Sequence, residues 1–171
     1  MNIKDEILRE HSKTQAIRIA KHIGNDKEKF SILMALFFDS EYRITQRAAW
    51  IVSHCHQLHP SLITPYLSKM IENLEKDISI AVKRNTVRIL QSVTIPNELM
   101  GTLADICFKF LADTKETIAV RVFSMTVLSN IVQEYPEMKS ELQFAIEEQM
   151  PFGSAGFISR SKKVLKQLSK L

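Results

Sequence analysis

Three kinds of residue return along this chain at one period. Asp39, Asp77 and Asp113 are 38 and 36 residues apart, Arg47, Arg84 and Arg121 are each 37 apart, and Pro60, Pro96 and Pro136 are 36 and 40 apart. Between these marks the apolar residues recur at steps of three and four, the spacing of one helix face. A period near 37 with two helices per unit predicts a helical solenoid. The reason is that one helix pair cannot bury its apolar faces alone and must stack on the next.

The stretch Ile44 to Pro60 is the clearest unit of the pattern. Ile44, Ala48, Ile51, Cys55 and Leu58 form a seam that must be buried, while Arg43, Arg47, Trp50, His54 and Gln57 keep the same rhythm one residue ahead. The second stripe is cationic and aromatic. Pro60 then stops the helix.

Read in order, residues 2–10 and 12–23 form two short helices, the second ending at Gly24-Asn25. Asp26 caps a helix with core Phe30, Leu33, Met34, Phe37 and Phe38, and Asp39-Ser40 breaks it before the Trp50 helix. Pro60 and Pro65 are expected in the opening turn of a helix carrying Leu67, Met70, Ile71 and Leu74. Its partner, about Ile80 to Thr94, presents Val82, Thr86, Ile89 and Val93. Asn97 is expected to cap the next helix, and after Asp113-Thr114 an apolar run continues to Pro136. A last pair follows, with Leu142, Ala145, Ile146 and Met150, a kink at Pro151-Phe152-Gly153, then Ile158, Val164, Leu165 and Leu168. Phe157, Leu168 and Leu171 are expected to leave an apolar end on the stack, where copies could associate.

Composition agrees with an all-α class. Four glycines and five prolines in 171 residues leave little material for hairpins, and 45% hydrophobic with 25% charged residues suits one water-soluble domain spanning 1–171. The longest apolar runs are too short to cross a bilayer, and the start MNIKDEILRE has no apolar signal core, so a cytoplasmic protein without membrane contact is expected. Cys55 and Cys107 lie inside apolar helical patterns and read as buried free thiols.

An Asp at the turn within a pair, an Arg seven or eight residues later, small and branched apolar residues behind it, and a Pro before the next unit together resemble the HEAT repeat family. The resemblance implies a right-handed α-α superhelix of about five helix pairs, a HEAT/ARM-like solenoid, over nearly the whole chain. Residues 1–24 lack the Asp and Arg signals and resemble a capping pair; 154–171 form a basic terminal helix. The segments QRAAWIVSH, AVRVFSMTVLSNI and GSAGFISRSKKVLKQL are similar to short bacterial HEAT-like proteins, some of which carry the name adenylosuccinate lyase. Lyases of that superfamily rely on a flexible loop rich in Ser, Gly, Lys and Asn-Pro, and on chains more than twice as long. This chain has neither feature.

In a HEAT-like solenoid the second helices line the concave side. Here those helices carry +11 and the remainder of the chain −7, for a total of +4, which predicts a basic inner face. The residues expected on that face are Arg43, Arg47, Trp50, His54, Lys83, Arg84, Arg88, Arg121, Arg160 and Lys163. The resemblance also implies that Arg47, Arg84 and Arg121 serve the scaffold by pairing with a turn Asp. The others have no such duty, and Trp50, the sole tryptophan, can anchor a partner or join the core.

Enzymatic readings find less support. DNA glycosylases of alkylation repair, also built from HEAT-like repeats, use paired tryptophans and a catalytic carboxylate, whereas here one turn from the single Trp stands His54. His54, Cys55, His56 and His59 are dense in potential ligands, but a zinc site needs more convergence than one helix supplies. No phosphate-cradling glycine loop or nucleophile elbow is present. The expectation is a non-enzymatic scaffold without cofactor or metal that binds an acidic protein partner, with sequence-independent nucleic-acid binding as the alternative.

Overall fold

Ten α-helices follow one another among the described residues of the computed structural model, which are 1–39 and 41–171. They are α1 (Ile3–Arg9), α2 (Lys13–Ile23), α3 (Lys27–Phe37), α4 (Tyr42–Leu58), α5 (Leu67–Asn73), α6 (Ile80–Leu90), α7 (Asn97–Ala112), α8 (Ile118–Glu134), α9 (Lys139–Gln149) and α10 (Ala155–Leu168). No strand forms among these residues, so the class is all-α, with the repeating pairwise packing of HEAT and ARM proteins. Ser40, half of the expected Asp39-Ser40 break, lies outside the described residues. The chain groups into two compact units, Met1–Ile89 and Leu90–Leu171.

In the first unit the helix starts follow from side-chain caps, which satisfy N–H groups that a helix leaves open. Asn2 accepts the Asp5 N–H at 3.2 Å and Ser12 the Gln15 N–H at 3.1 Å. Asp26 accepts from Glu28 and Lys29 at 3.0 and 3.1 Å, as its position predicts. Helix α2 ends at Gly24, whose φ of 54° favours glycine and whose N–H returns to the Ala20 carbonyl at 2.9 Å. Buried Gln15 ties the first pair together, donating to the carbonyl and the carboxylate of Glu6, each at 2.8 Å. That hydrogen bond, with Arg18 and Arg9 adding their charge, holds the Glu6 carboxyl below the usual range.

Helix α4 is the centre of this unit. It packs against α1, α2 and α3 through the seam predicted for it, with Ile44, Ala48, Ile51 and Cys55 buried. Leu58, at the end of the seam, is exposed. From Pro60 to Tyr66 the chain runs as a 3-10 helix, and α5 begins only at Leu67. Two prolines five residues apart remove two N–H donors, so a regular α-helix starts after the second. Helix α6 buries Val82, Thr86 and Ile89 as their spacing requires, but stops at Leu90 rather than Thr94, leaving Val93 half-buried.

The second unit is organised around α8, which packs against α7, α9 and α10. Val120, Val122, Met125, Val127, Leu128, Ile131 and Val132 are all buried, covering most of its circumference, as expected of a helix enclosed by three others. Helix α7 begins at Asn97 with Pro96 in the cap position, whereas the sequence suggested an Asn97 cap. A 3-10 turn at Met150–Phe152 makes the expected kink, and Ser154 caps α10. Phe157 and Leu168, expected at an exposed end, are buried, because α10 turns its apolar side onto α8. Leu171 alone of the three is exposed.

The two units share one stacking rule. First helices meet first helices, α1 with α3 and α7 with α9, and second helices meet second helices, α2 with α4 and α8 with α10.

Burial pushes the Cys55 and Cys107 thiols up to about 12. Neither should therefore react with iodoacetamide in the native protein near pH 8, while both should be labelled in denaturant, as intact-mass measurement would reveal. A Cβ at Gly153 would sit 2.8 Å from Cδ1 of buried Phe157 and 3.3 Å from the Met150 carbonyl oxygen. Gly153→Ala is expected to lose about 1–3 kcal/mol of stability by overpacking. Gly101, inside α7 with open space around it, makes the control: Gly101→Ala should gain up to about 1 kcal/mol in the same urea titrations.

Candidate functional site

Arg47 reaches from α4 to the end of α1, where its Nη1 donates to the carbonyls of Ile7 and Leu8, both at 2.9 Å. The last carbonyls of a helix have no partner inside it, and a guanidinium supplies several donors at once. Arg121 does the corresponding work in the second unit. Its Nε donates to the Leu111 carbonyl of α7 at 3.2 Å, its Nη2 to Gln149, and its guanidinium lies 4.7 Å from the centre of the Phe157 ring. Burial lowers the pKa of both guanidinium groups, and Asp113 opposes that shift at Arg121.

Both residues thus hold the scaffold, but through carbonyls rather than by the expected salt bridge to a turn Asp. The aspartates instead serve their own turns: Asp39 accepts the Glu41 N–H at 2.8 Å and Asp113 the Lys115 N–H at 2.9 Å. Arg84, the third member of the series, is exposed and makes no hydrogen bond or ion pair among the described residues.

The other expected site residues divide by unit. Arg160 donates to Gln91 at 3.2 Å and to Thr126, joining α10 to the chain before α7 and to α8. Lys163 is exposed on α10. In the first unit Arg43 and Arg88 are exposed and Lys83 is half-buried. Trp50, His54 and Arg88 come together, and they do so in a cleft of about 560 Å³.

Helix α2 supplies the rest of that cleft. Lys13, Ile17 and Lys21, four residues apart on one side of α2, face α4 across the opening, and Leu58 and Gln57 close its end. Its charged lining is Lys13, Lys21 and Arg88, with no carboxylate among the lining residues. Trp50 is half-buried, with its ring centre 5.5 Å from His11 in an edge-on contact and 6.0 Å from His54. The His54 Nε2 is shielded from solvent and has no hydrogen-bond partner among the described residues. Burial pulls the pKa of His54 below its ordinary value, Gln57 works against that shift, and the charges of Arg88 and Lys13 deepen it. Part of this positive field is thus already felt by a neutral ring. An anion seated here would relieve it.

Lys13 and Lys21 belong to the +11 of the second helices but are not among the expected site residues, because the first helix pair reads as a cap. Their i,i+8 spacing on a second helix was the available signal.

A family model for the HEAT repeat domain matches residues 3–168. The chain belongs to the HEAT repeat family. In this HEAT repeat domain the matched span contains all ten helices and every residue of the cleft. No curated protein and no solved structure is found to match it. No described helix is long and apolar enough to cross a membrane. Among the described residues, no group of three or more His, Cys, Asp and Glu is placed to hold a metal ion. His56 is buried beside the seam of α4, and its pKa, like that of His54, is lowered by burial.

The two histidines set a pH dependence whose sign is fixed. A folded-state pKa below the unfolded 6.5 means that the unfolded chain binds protons more readily, so stability is complete above 6.5 and declines as the pH falls through the lower folded values. Urea midpoints measured from about pH 7.5 to about 5.5 should fall, and His54→Gln should flatten the decline.

Proposed function

We propose that this HEAT repeat domain is a non-enzymatic interaction module, and that the cleft between α2 and α4 receives an acidic segment of a protein partner. The observation that carries the reading is the lining itself: three cations from two helices, no carboxylate, and one half-buried tryptophan beside apolar Ile17 and Leu58. The cations would steer and align carboxylates, and the aromatic and aliphatic walls would bury the apolar side chain between them. Catalysis has less to recommend it. An open cleft lined by three cations and one shielded histidine, with no carboxylate, offers no matched acid–base pair and no means of excluding water.

Arg43, Lys83 and Arg84 extend the positive charge of α4 and α6 as second contributors to the encounter. Arg47 enters the proposal differently, as a residue whose guanidinium holds the helices of the cleft's own unit, and Arg121 and Arg160 do the same work in the second unit.

Trp50, as the sole tryptophan, reports directly on the cleft. Titration with a peptide of alternating glutamate and leucine should shift its emission, and Lys13→Glu/Lys21→Glu should weaken that binding about tenfold or more. A signal that instead responds to single-stranded DNA of any sequence, and collapses between about 50 and about 200 mM salt, would replace the protein partner with a nucleic acid. No response to either would remove the reading.

A further inference from the structure

Helix α9 carries the complement of this cleft. Phe144 is 66% exposed, and Glu141, Glu147 and Glu148 stand three residues before it and three and four after it, all exposed. That spacing places one aromatic ring among three carboxylates on a single helix face. The opposite face of α9 is anchored through buried Leu142 and Ile146, and the helix packs against α7 and α8, so the ridge is held by a fixed support. Gln143 donates to Glu147 at 2.9 Å, and none of the three glutamates forms an ion pair among the described residues.

We infer that the Phe144 ridge of one copy docks in the Trp50 cleft of a second copy, Phe144 lying against Trp50, Ile17 and Leu58 while its glutamates meet Lys13, Lys21 and Arg88. Charge complementarity selects this occupant: three carboxylates flank an exposed aromatic in one unit, and three cations flank a half-buried aromatic in the other. An exposed phenylalanine gains most by burial when its neighbours are also satisfied on docking. Ridge and cleft are different surfaces, so in a pair joined by one contact one copy keeps a free cleft and the other a free ridge. Association then grows with concentration. The inference rests on the reading of the cleft as a site for an acidic segment.

Docking of ridge in cleft has a test that a contact through other surfaces would fail. In sedimentation velocity at about 50 mM salt, the full chain should show a mass that rises with concentration and falls back as salt is raised. Lys13→Glu/Lys21→Glu, which lacks a working cleft, and Phe144→Ala/Glu148→Gln, which lacks a working ridge, should each associate about tenfold more weakly or stay monomeric. Mixed together they should form a complex of one copy of each that grows no further, since only one ridge and one cleft remain intact. All substituted residues are exposed, so circular dichroism should show folded variants. A wild-type chain that stays monomeric at all concentrations, or variants that associate as it does, or a mixture that forms no complex, would overturn the inference. The acidic peptide separates this from the earlier reading: a Trp50 response in the Phe144→Ala/Glu148→Gln protein without self-association would leave the cleft as a site for another protein and remove only the second copy.

Discussion

The open carbonyls at the end of a helix are the constraint on which this structure turns. A helix that ends inside a stack cannot leave its last C=O groups to water, and a neighbouring helix must supply donors. Arg47 meets this need for α1 and Arg121 for α7, each from the second helix of a pair and each by donating to main-chain oxygen. A hydrogen bond from a charged donor to a shielded acceptor stabilises by about 1.5–3 kcal/mol, enough for the arginine to fix how adjacent helices meet. The recurring aspartates then act locally, closing turns through N–H groups two residues on. Arginine and aspartate share one period because both mark the start of a second helix.

This division of labour determines which cations remain for recognition. Arg47, Arg121 and Arg160 have their donors turned to protein acceptors, whereas Lys13 and Lys21 stand exposed beside Trp50. Stacking second helix on second helix brings α2 beside α4, and a side of α2 that is half apolar and half cationic becomes one wall of a cleft. The neutral, shielded His54 on the other wall is a consequence. Burial and two nearby cations both disfavour its proton, and the ring joins Trp50 as part of an uncharged floor beneath a positive rim.

Much of the helix pattern could be read from the chain because it is written in local spacing. The seam from Ile44 to Cys55, the cap at Asp26, the stop at Gly24 and the kink at Pro151 all depend on residues within a turn or two of one another. The misreadings came where a second element intervened. Phe157 and Leu168 looked like an exposed end until α10 was found folded onto α8, and Leu58 lost its place in the seam where α4 gave way to the Pro60 turn. Arg47 and Arg121 serve the scaffold as expected but through main-chain carbonyls rather than carboxylates, and a carbonyl 40 residues away, as for Arg47, or 10 away, as for Arg121, leaves no mark in the sequence because every residue carries one.

By itself the sequence determined that this is an all-α protein of paired helices with a period near 37, and where most of those helices begin and end. It also singled out Trp50, His54 and Arg88, but placed them on one long basic face with seven others. Only the tertiary structure decided that these three share a cleft with Lys13 and Lys21, and that Arg47, Arg121 and Arg160 have their donors directed elsewhere. The physical reason is that helical periodicity fixes which side of a helix a residue occupies, while the azimuth at which one helix meets another depends on packing and capping between residues far apart in the chain.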